Sequence, residues 1–298
     1  MKKKILSLCI PTYNRDWCVN EQIERLKLCP KDILDRIEII ISDNCSIDNT
    51  QQIVEQAIAD GFPCHYIRND VNLGMDANFI NCCKKAMGKY VWILGDDDII
   101  ILDFLVHVVN KLDVSTEYGL LHISQNNNLQ EDFVCLSDKN DMMKIVGYYL
   151  TFISSNIVNT KYVPLVEFEK YIGTLFSLVP LYLTALTNAS HNAIIKGQAF
   201  DGGRDYGRGG YNFYVVFVQN YLTILSDYVH DKRMYKYLKR NVWPFIWLYT
   251  KQLIIDNDVG NFQIDNGCRI LLKYYGTEWY FWWGIAKYTI NNIKKIIL

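Results

Sequence analysis

Asp96, Asp97 and Asp98 close the run Tyr90-Val-Trp-Ile-Leu-Gly-Asp-Asp-Asp98, so a strand-like apolar stretch ends in a glycine and three consecutive carboxylates. Like charges side by side repel, and burying them is costly without a counter-charge. A divalent cation carried on a diphosphate would supply that counter-charge, and hard carboxylate oxygens suit Mg2+ or Mn2+. The plain alternative is a solvated acidic turn, common at protein surfaces. What precedes the acidic run in the chain favours the first reading.

Over residues 1–120, strand and helix patterns alternate. Ile5–Ile10 and Ile37–Ile41 are continuous apolar runs, Cys64–Ile67 is a short one, and Tyr90–Leu94 is the fourth. Between them Val19, Ile23 and Leu26 recur at helical spacing, as do Ile53, Val54, Ala57 and Ile58 after a cap at Asp48, and Phe79, Cys82, Cys83, Ala86 and Met87 after a cap at Asp76. Continuous apolar strands separated by amphipathic helices predict a mostly parallel sheet covered on both faces, an α/β Rossmann-like fold. A polar cluster follows every strand: Pro11-Thr-Tyr-Asn-Arg15, Ser42-Asp-Asn-Cys-Ser46, Arg68-Asn-Asp-Val-Asn72 and Gly95–Asp98. Open α/β sheets bind ligands at the carboxyl ends of their strands, so four polar loops on one edge predict a site there.

Composition narrows the chemistry. The 298 residues are 50% hydrophobic, enough for a large core, and a net charge of −1 gives no global basic field for nucleic acid. Nine cysteines, an odd number without a C-x-x-C pair, read as buried thiols of a reducing compartment rather than disulfides or a zinc site. The start, Met1-Lys-Lys-Lys-Ile-Leu-Ser-Leu-Cys-Ile10, imitates a leader peptide, but Pro11 stops its short apolar part and a first strand is expected. Tyr171–Ile195 lacks Asp, Glu, Lys and Arg, yet Gly173, Pro180 and its Ser, Thr and Asn residues favour buried helices over a membrane span. No G-x-G-x-x-G follows a strand and no G-x-x-x-x-G-K-[ST] or G-x-S-x-G occurs, which disfavours dinucleotide binding, P-loop chemistry and an α/β-hydrolase elbow. A sheet edge carrying Asp43 and Asp96–Asp98 remains. One carboxylate can hold a base or ribose while another holds a metal on a diphosphate.

Ser7-Leu-Cys-Ile-Pro-Thr-Tyr-Asn-Arg15, Ile39-Ile-Ile-Ser-Asp-Asn-Cys-Ser-Ile-Asp-Asn-Thr50, Asn72-Leu-Gly-Met-Asp-Ala-Asn78 and Leu94-Gly-Asp-Asp-Asp98 carry a resemblance to the family 2 glycosyltransferases, inverting enzymes of the GT-A fold. It covers residues 1 to about 112. Phe152–Val158 reads as a further strand, and within the family the chain looks most like bacterial capsule and O-antigen enzymes of the abequosyltransferase-like group, whose acceptor-side strand Phe152-Ile-Ser-Ser-Asn-Ile157 resembles. The resemblance implies a nucleotide-sugar-binding half over 1–112, an acceptor half over 113–210 and a helical C-terminal region over 211–298. It implies that Pro11, Thr12, Tyr13 and Arg15 line the nucleotide pocket and that Asp43 accepts from a pyrimidine base. Asn72, Gly74 and Asp76 would lie near base and ribose, Asp96 would contact the ribose or sugar, and Asp97 would belong to the same nucleotide-sugar site. Asp98, with Asp96, would hold Mg2+ or Mn2+. The donor would be UDP- or CDP-linked and the acceptor a glycan or lipid-diphosphate-linked saccharide. Two other readings stay open: a sugar-1-phosphate nucleotidyltransferase, and a non-catalytic sugar-nucleotide or glycan-binding protein.

The chain departs from the family at the catalytic base. Where many members carry an acidic pair, this one has Tyr171-Ile-Gly-Thr-Leu-Phe-Ser177, without an acid. Glu169 just before it, Asp201 in the glycine-rich segment Gly197–Gly210, and His191 are the candidates. That segment reads as a lid or a plain connector. Further on, Lys232, Arg233, Lys236, Lys239 and Arg240 fall on one helical face near Trp243-Pro-Phe-Ile-Trp-Leu-Tyr249 and Glu278-Trp-Tyr-Phe-Trp-Trp283. Basic faces beside aromatics suit an anionic membrane surface or a solvated helix over an aromatic core. The expected location is cytoplasmic, and on the first of these two readings peripheral on the inner face of the plasma membrane.

Overall fold

The β-branched apolar runs form the centre of the fold. A computed structural model describes residues 4–125, 129–201, 209–255 and 261–297, and the chain divides into two units, Met1–Arg204 and Asp205–Leu298. In the first unit the order is β1 (Leu6–Thr12), α1 (Asp16–Lys27), α2 (Lys31–Leu34), β2 (Ile37–Asp43), α3 (Thr50–Ala59), β3 (Cys64–Arg68), α4 (Met75–Lys85), β4 (Tyr90–Ile93), β5 (Ile99–Ile100) and α5 (Leu102–Leu112). There follow β6 (Leu120–Ser124), β7 (Phe133–Leu136), α6 (Lys139–Val146), β8 (Asn156–Asn159), α7 (Val179–Asn188), β9 (Asn192–Lys196) and β10 (Phe200–Asp201).

Eight strands make one sheet in the order β3-β2-β1-β4-β8-β6-β9-β7. The pairs β3–β2, β2–β1, β1–β4 and β6–β9 are parallel; β4–β8, β8–β6 and β9–β7 are antiparallel. Every residue of β1 and β2 is buried, as continuous apolar strands require when helices cover both faces. Alternation along β1 sorts the two layers. Leu6, Leu8 and Ile10 share a core with Val19, Ile23, Val54, Leu105 and Val109 of α1, α3 and α5, while Cys9 turns to the other face and its Sγ lies 3.9 Å from the Cys82 carbonyl of α4. This is the mostly parallel α/β sheet expected from the sequence.

Two expectations fail locally. Phe152–Val158 is not one strand: 3-10 turns occupy Gly147–Thr151 and Ile153–Ser155, and only Asn156–Asn159 pairs as β8. Asn156 is the cause, because its Nδ2 donates to the Leu150 and Phe152 carbonyls at 3.3 and 2.7 Å and so stabilises the turns that precede the strand. Tyr171–Ile195 is not wholly helical either. It holds the buried helix α7, and its β-branched end, Ala193-Ile-Ile195, enters the sheet within β9.

The second unit contains β11 (Gly209–Asn212), α8 (Tyr221–Tyr228), α9 (Lys232–Thr250), β12 (Asn261–Gln263), α10 (Gly267–Tyr275) and α11 (Trp279–Ile297). Aromatics build its core: Phe213 stacks on Tyr249 at 4.9 Å, and Trp243 meets Tyr275 at 4.8 Å. All nine cysteines are free. Among the described residues no helix is long and apolar enough to cross a membrane.

Candidate active site

Strand order supplies a crevice. From β1 the chain winds outward through β2 and β3, then returns through α4 to β4 on the opposite side of β1. The connections leaving β1 and β4 therefore diverge, and the gap between them is where an open α/β sheet takes a ligand. A cleft of about 490 Å3 opens there. Eight of the expected residues line it: Pro11, Thr12, Tyr13 and Arg15 after β1, Asn72 and Gly74 before α4, and Asp96 and Asp97 after β4. Asn44, Met75, Asn78, Phe79, Gly95 and Ile153 complete the lining. Asn44, Met75, Asn78 and Gly95 sit inside the polar motifs that mark the edge in sequence; Phe79 and Ile153 read there only as helix and strand positions.

The acidic loop is held from four directions. Thr12 Oγ1 donates to Asp96 Oδ2 at 2.8 Å, and Arg15 Nη1 donates to Asp96 Oδ1 at 2.8 Å. The same guanidinium nitrogen stands 3.4 Å from Asp97. Ser154 Oγ donates to Asp98 Oδ2 at 2.5 Å and accepts the Gly95 N–H at 2.9 Å. Buried Gln22 donates to the Asp98 carbonyl and accepts from the Ile100 N–H. Asp96 is 5% exposed, and burial raises its carboxyl above the ordinary range although Arg15 and Thr12 pull the other way. A charged Asp96 is thus costly in the ligand-free site, and a cation nearby would reduce that cost.

A divalent ion fits this donor set. A Cβ on Gly95 would lie 3.1 Å from both Asp97 Oδ1 and Asp98 Oδ2, so glycine leaves these two carboxylates room to converge. Among the described residues no three His, Cys, Asp or Glu side chains form a ready-made cage. An ion carried on a diphosphate needs only one or two protein carboxylates, because phosphate oxygens and water complete its shell.

The remaining expected residues lie off the cleft wall. Asp43 is fully buried beneath it: Oδ1 accepts from the Ser46 N–H at 2.8 Å, Oδ2 from the Tyr66 hydroxyl at 2.6 Å, and Arg68 Nε stands 3.4 Å away. Asp76, in the first turn of α4, spends its carboxylate on another segment, accepting the backbone N–H groups of Gly173, Leu175 and Ser177 at 2.8, 2.9 and 3.4 Å. It therefore fixes the acid-free turn opposite, and no cap on its own helix is formed. Asp48, in contrast, does accept the Thr50 N–H at the start of α3. Glu169 is exposed and paired with Lys84 at 3.3 Å, near the far end of α4 and so roughly 8 Å along the helix beyond Phe79, the last α4 residue of the cleft wall. His191 precedes β9, which runs parallel to β6, and thus occupies the amino-terminal edge of the parallel strands, opposite the cleft. Asp201 is exposed but stands on the cleft's edge of the sheet, paired in register with Ile99, the residue after Asp98. Most of the glycine-rich segment, 202–208, lies outside the described residues, and with it the expected lid.

A mixed sheet with this strand order and an acidic loop at its switch point defines the GT-A fold. The match to solved structures agrees: a mannosyltransferase from Pyrobaculum calidifontis, solved with GDP-Man and Mn2+, superposes with a TM-score of 0.55 at 15% identity, over 99% of this chain and 89% of its own. Residues 7–130 match the model of Glycosyl transferase family 2. The chain is also similar to the abequosyltransferase RfbV of Salmonella typhimurium, 32% identical over 202 residues, 58% of each chain. A Campylobacter jejuni GalNAc(5)-diNAcBac-PP-undecaprenol beta-1,3-glucosyltransferase is 29% identical over 131 residues, 43% of this chain and 41% of its own. The alignments thus span about half the length of these curated relatives.

Proposed function

We propose that this chain is an inverting glycosyltransferase. It moves a sugar from a nucleotide-diphosphate donor to a hydroxyl of a glycan or lipid-linked saccharide in bacterial surface polysaccharide synthesis. The observation that carries the reading is the junction of Thr12, Arg15 and Asp96 at the switch point of the sheet. The names of the two curated relatives support the sugar-transfer class, and that of the Campylobacter relative supports a polyprenyl-diphosphate-linked acceptor. The mannosyltransferase solved with GDP-Man and Mn2+ supports a nucleotide sugar and a divalent ion.

Asp98 and Asp97 would hold Mg2+ or Mn2+, with Asp96 behind them. When bound, the ion supplies positive charge against the leaving diphosphate. The chain's own residues do the rest. Arg15, whose guanidinium stands 3.4 Å from Asp97, would offer its remaining N–H groups to a phosphate oxygen. Tyr13, 43% exposed, offers its ring face to the base. The acceptor oxygen attacks the anomeric carbon on the face opposite the diphosphate, through an oxocarbenium-like transition state. Its proton passes to a carboxylate, for which Asp201 is the candidate, since Glu169 and His191 stand at the other edge of the sheet.

Release of nucleoside diphosphate from a panel of nucleotide sugars with a saccharide acceptor tests the proposal. Asp98→Ala should lower the rate at least a hundredfold with a change in Tm of a few degrees at most, because this half-buried carboxylate lies outside the apolar core. Undiminished release by this variant would remove Asp98 from the mechanism. Binding without release in the wild type would favour the non-catalytic reading.

A further inference from the structure

The second unit carries a pattern that sugar transfer does not use. Residues 205–298 contain twelve Lys and Arg against seven Asp and Glu, a net of +5 in a chain whose total is −1. On α11 the side chains of Tyr280 and Phe281 are buried, while Trp279, Trp282 and Trp283 are 63%, 52% and 61% exposed. Positions i, i+3 and i+4 share one helical face, and exposed Ala286 continues it. Three exposed indoles on one face mark a contact surface. Cations border it. The Arg240 guanidinium lies 5.3 Å over the Trp279 ring; Lys236, one turn earlier on α9, and Lys287, one turn after Trp283, are exposed. Lys239 is not available, being half-buried against Glu278 at 2.7 Å.

We propose that this face docks on an anionic lipid bilayer, with the three indoles at headgroup depth and Lys236, Arg240 and Lys287 toward lipid phosphates. Indole combines a large apolar body with one N–H donor and partitions to the membrane–water boundary. The surrounding cations add attraction for acidic lipids. The charge also argues against the simplest competitor. A two-fold contact between copies would bring this basic face against itself and set like charges together. The docking claim does not depend on the transferase reading, because it needs neither donor nor acceptor.

The test uses the whole chain and extruded vesicles, one set of phosphatidylcholine alone and one with phosphatidylglycerol added, with no nucleotide present. Co-sedimentation and a blue shift of tryptophan emission should appear with the acidic vesicles and fade at high salt. Brominated acyl chains should quench that emission in the wild-type protein, a readout that needs no variant. The pair Trp279→Ser and Trp283→Ser should cut partitioning at least tenfold with an unchanged circular dichroism spectrum. Each of Lys236→Glu and Arg240→Glu should cut it roughly fivefold. Absence of binding to acidic vesicles, equal binding to neutral ones, or binding indifferent to these substitutions would overturn the proposal. So would a dimer in solution that the tryptophan substitutions dissolve, which would give the face to a second copy.

Discussion

Three adjacent aspartates receive three different environments. Asp96 is buried between Thr12 and Arg15, Asp97 faces the cleft within reach of Arg15, and Asp98 is steadied by Ser154. Neighbours in sequence thereby divide into a buried anchor and two half-buried carboxylates, to which the proposed function assigns the cation. Asp76 makes the same point in reverse. Its place beside the Asn72–Gly74 motif suggested a nucleotide contact, but its oxygens are committed to three backbone N–H groups of the turn at 173–177. Asp76→Ala orphans those donors and should cost about 3 kcal/mol of stability by chemical denaturation. Nucleotide affinity of the folded variant should stay within about threefold of the wild type. A variant of normal stability that binds nucleotide poorly would restore the ribose role. The acidic loop and the Pro11–Arg15 loop were legible because each ends an apolar run. Gln22 and Ser154 were not: they are joined to that loop across 76 and 56 positions of sequence, and nothing local announces such a contact.

At the scale of elements, alternating strand and helix patterns in the first 94 residues translate directly into β1, α1, β2, α3, β3, α4 and β4, because the runs of β1, β2 and β4 are buried on both faces and only the short edge strand β3 is half-exposed. Beyond that point β8 enters antiparallel between β4 and β6, and local hydrogen bonding by Asn156 shortens it in a way no hydropathy pattern records. The same junction holds a titratable group. His122 of β6 is 3% exposed with Nδ1 2.9 Å from Asn156 Oδ1, and burial pushes its pKa down to about 4 against the weaker pull of that hydrogen bond. Unfolded, the imidazole titrates near its ordinary value of about 6.5. Between those limits the unfolded chain binds the extra proton, so stability is complete above about pH 6.5 and falls as pH drops toward 4, by on the order of 3 kcal/mol. Urea midpoints measured from pH 7 to 4 should show this loss, and His122→Gln should flatten it. An equal slope in the variant would place the acid sensitivity elsewhere. Element placement also sorts the base candidates, since Glu169 and His191 become remote only when the direction of α4 and β9 is known.

The whole molecule separates two tasks between its units. The first unit contains the cleft and all of its lining residues; the second concentrates positive charge and exposed tryptophan. The central claim concerns the first: the carboxylates at the switch point grip a cation that a nucleoside diphosphate brings with it. A thermal-shift panel selects the nucleotide, because a ligand that binds only the folded chain raises Tm. The direct measurement is then an anomalous-scattering map of crystals soaked with Mn2+ and that nucleoside diphosphate. The account requires a manganese peak within coordination distance of Asp98 or Asp97, with the diphosphate between it and Arg15. A nucleotide bound with no manganese at that loop, or manganese seated away from all three aspartates, would contradict it.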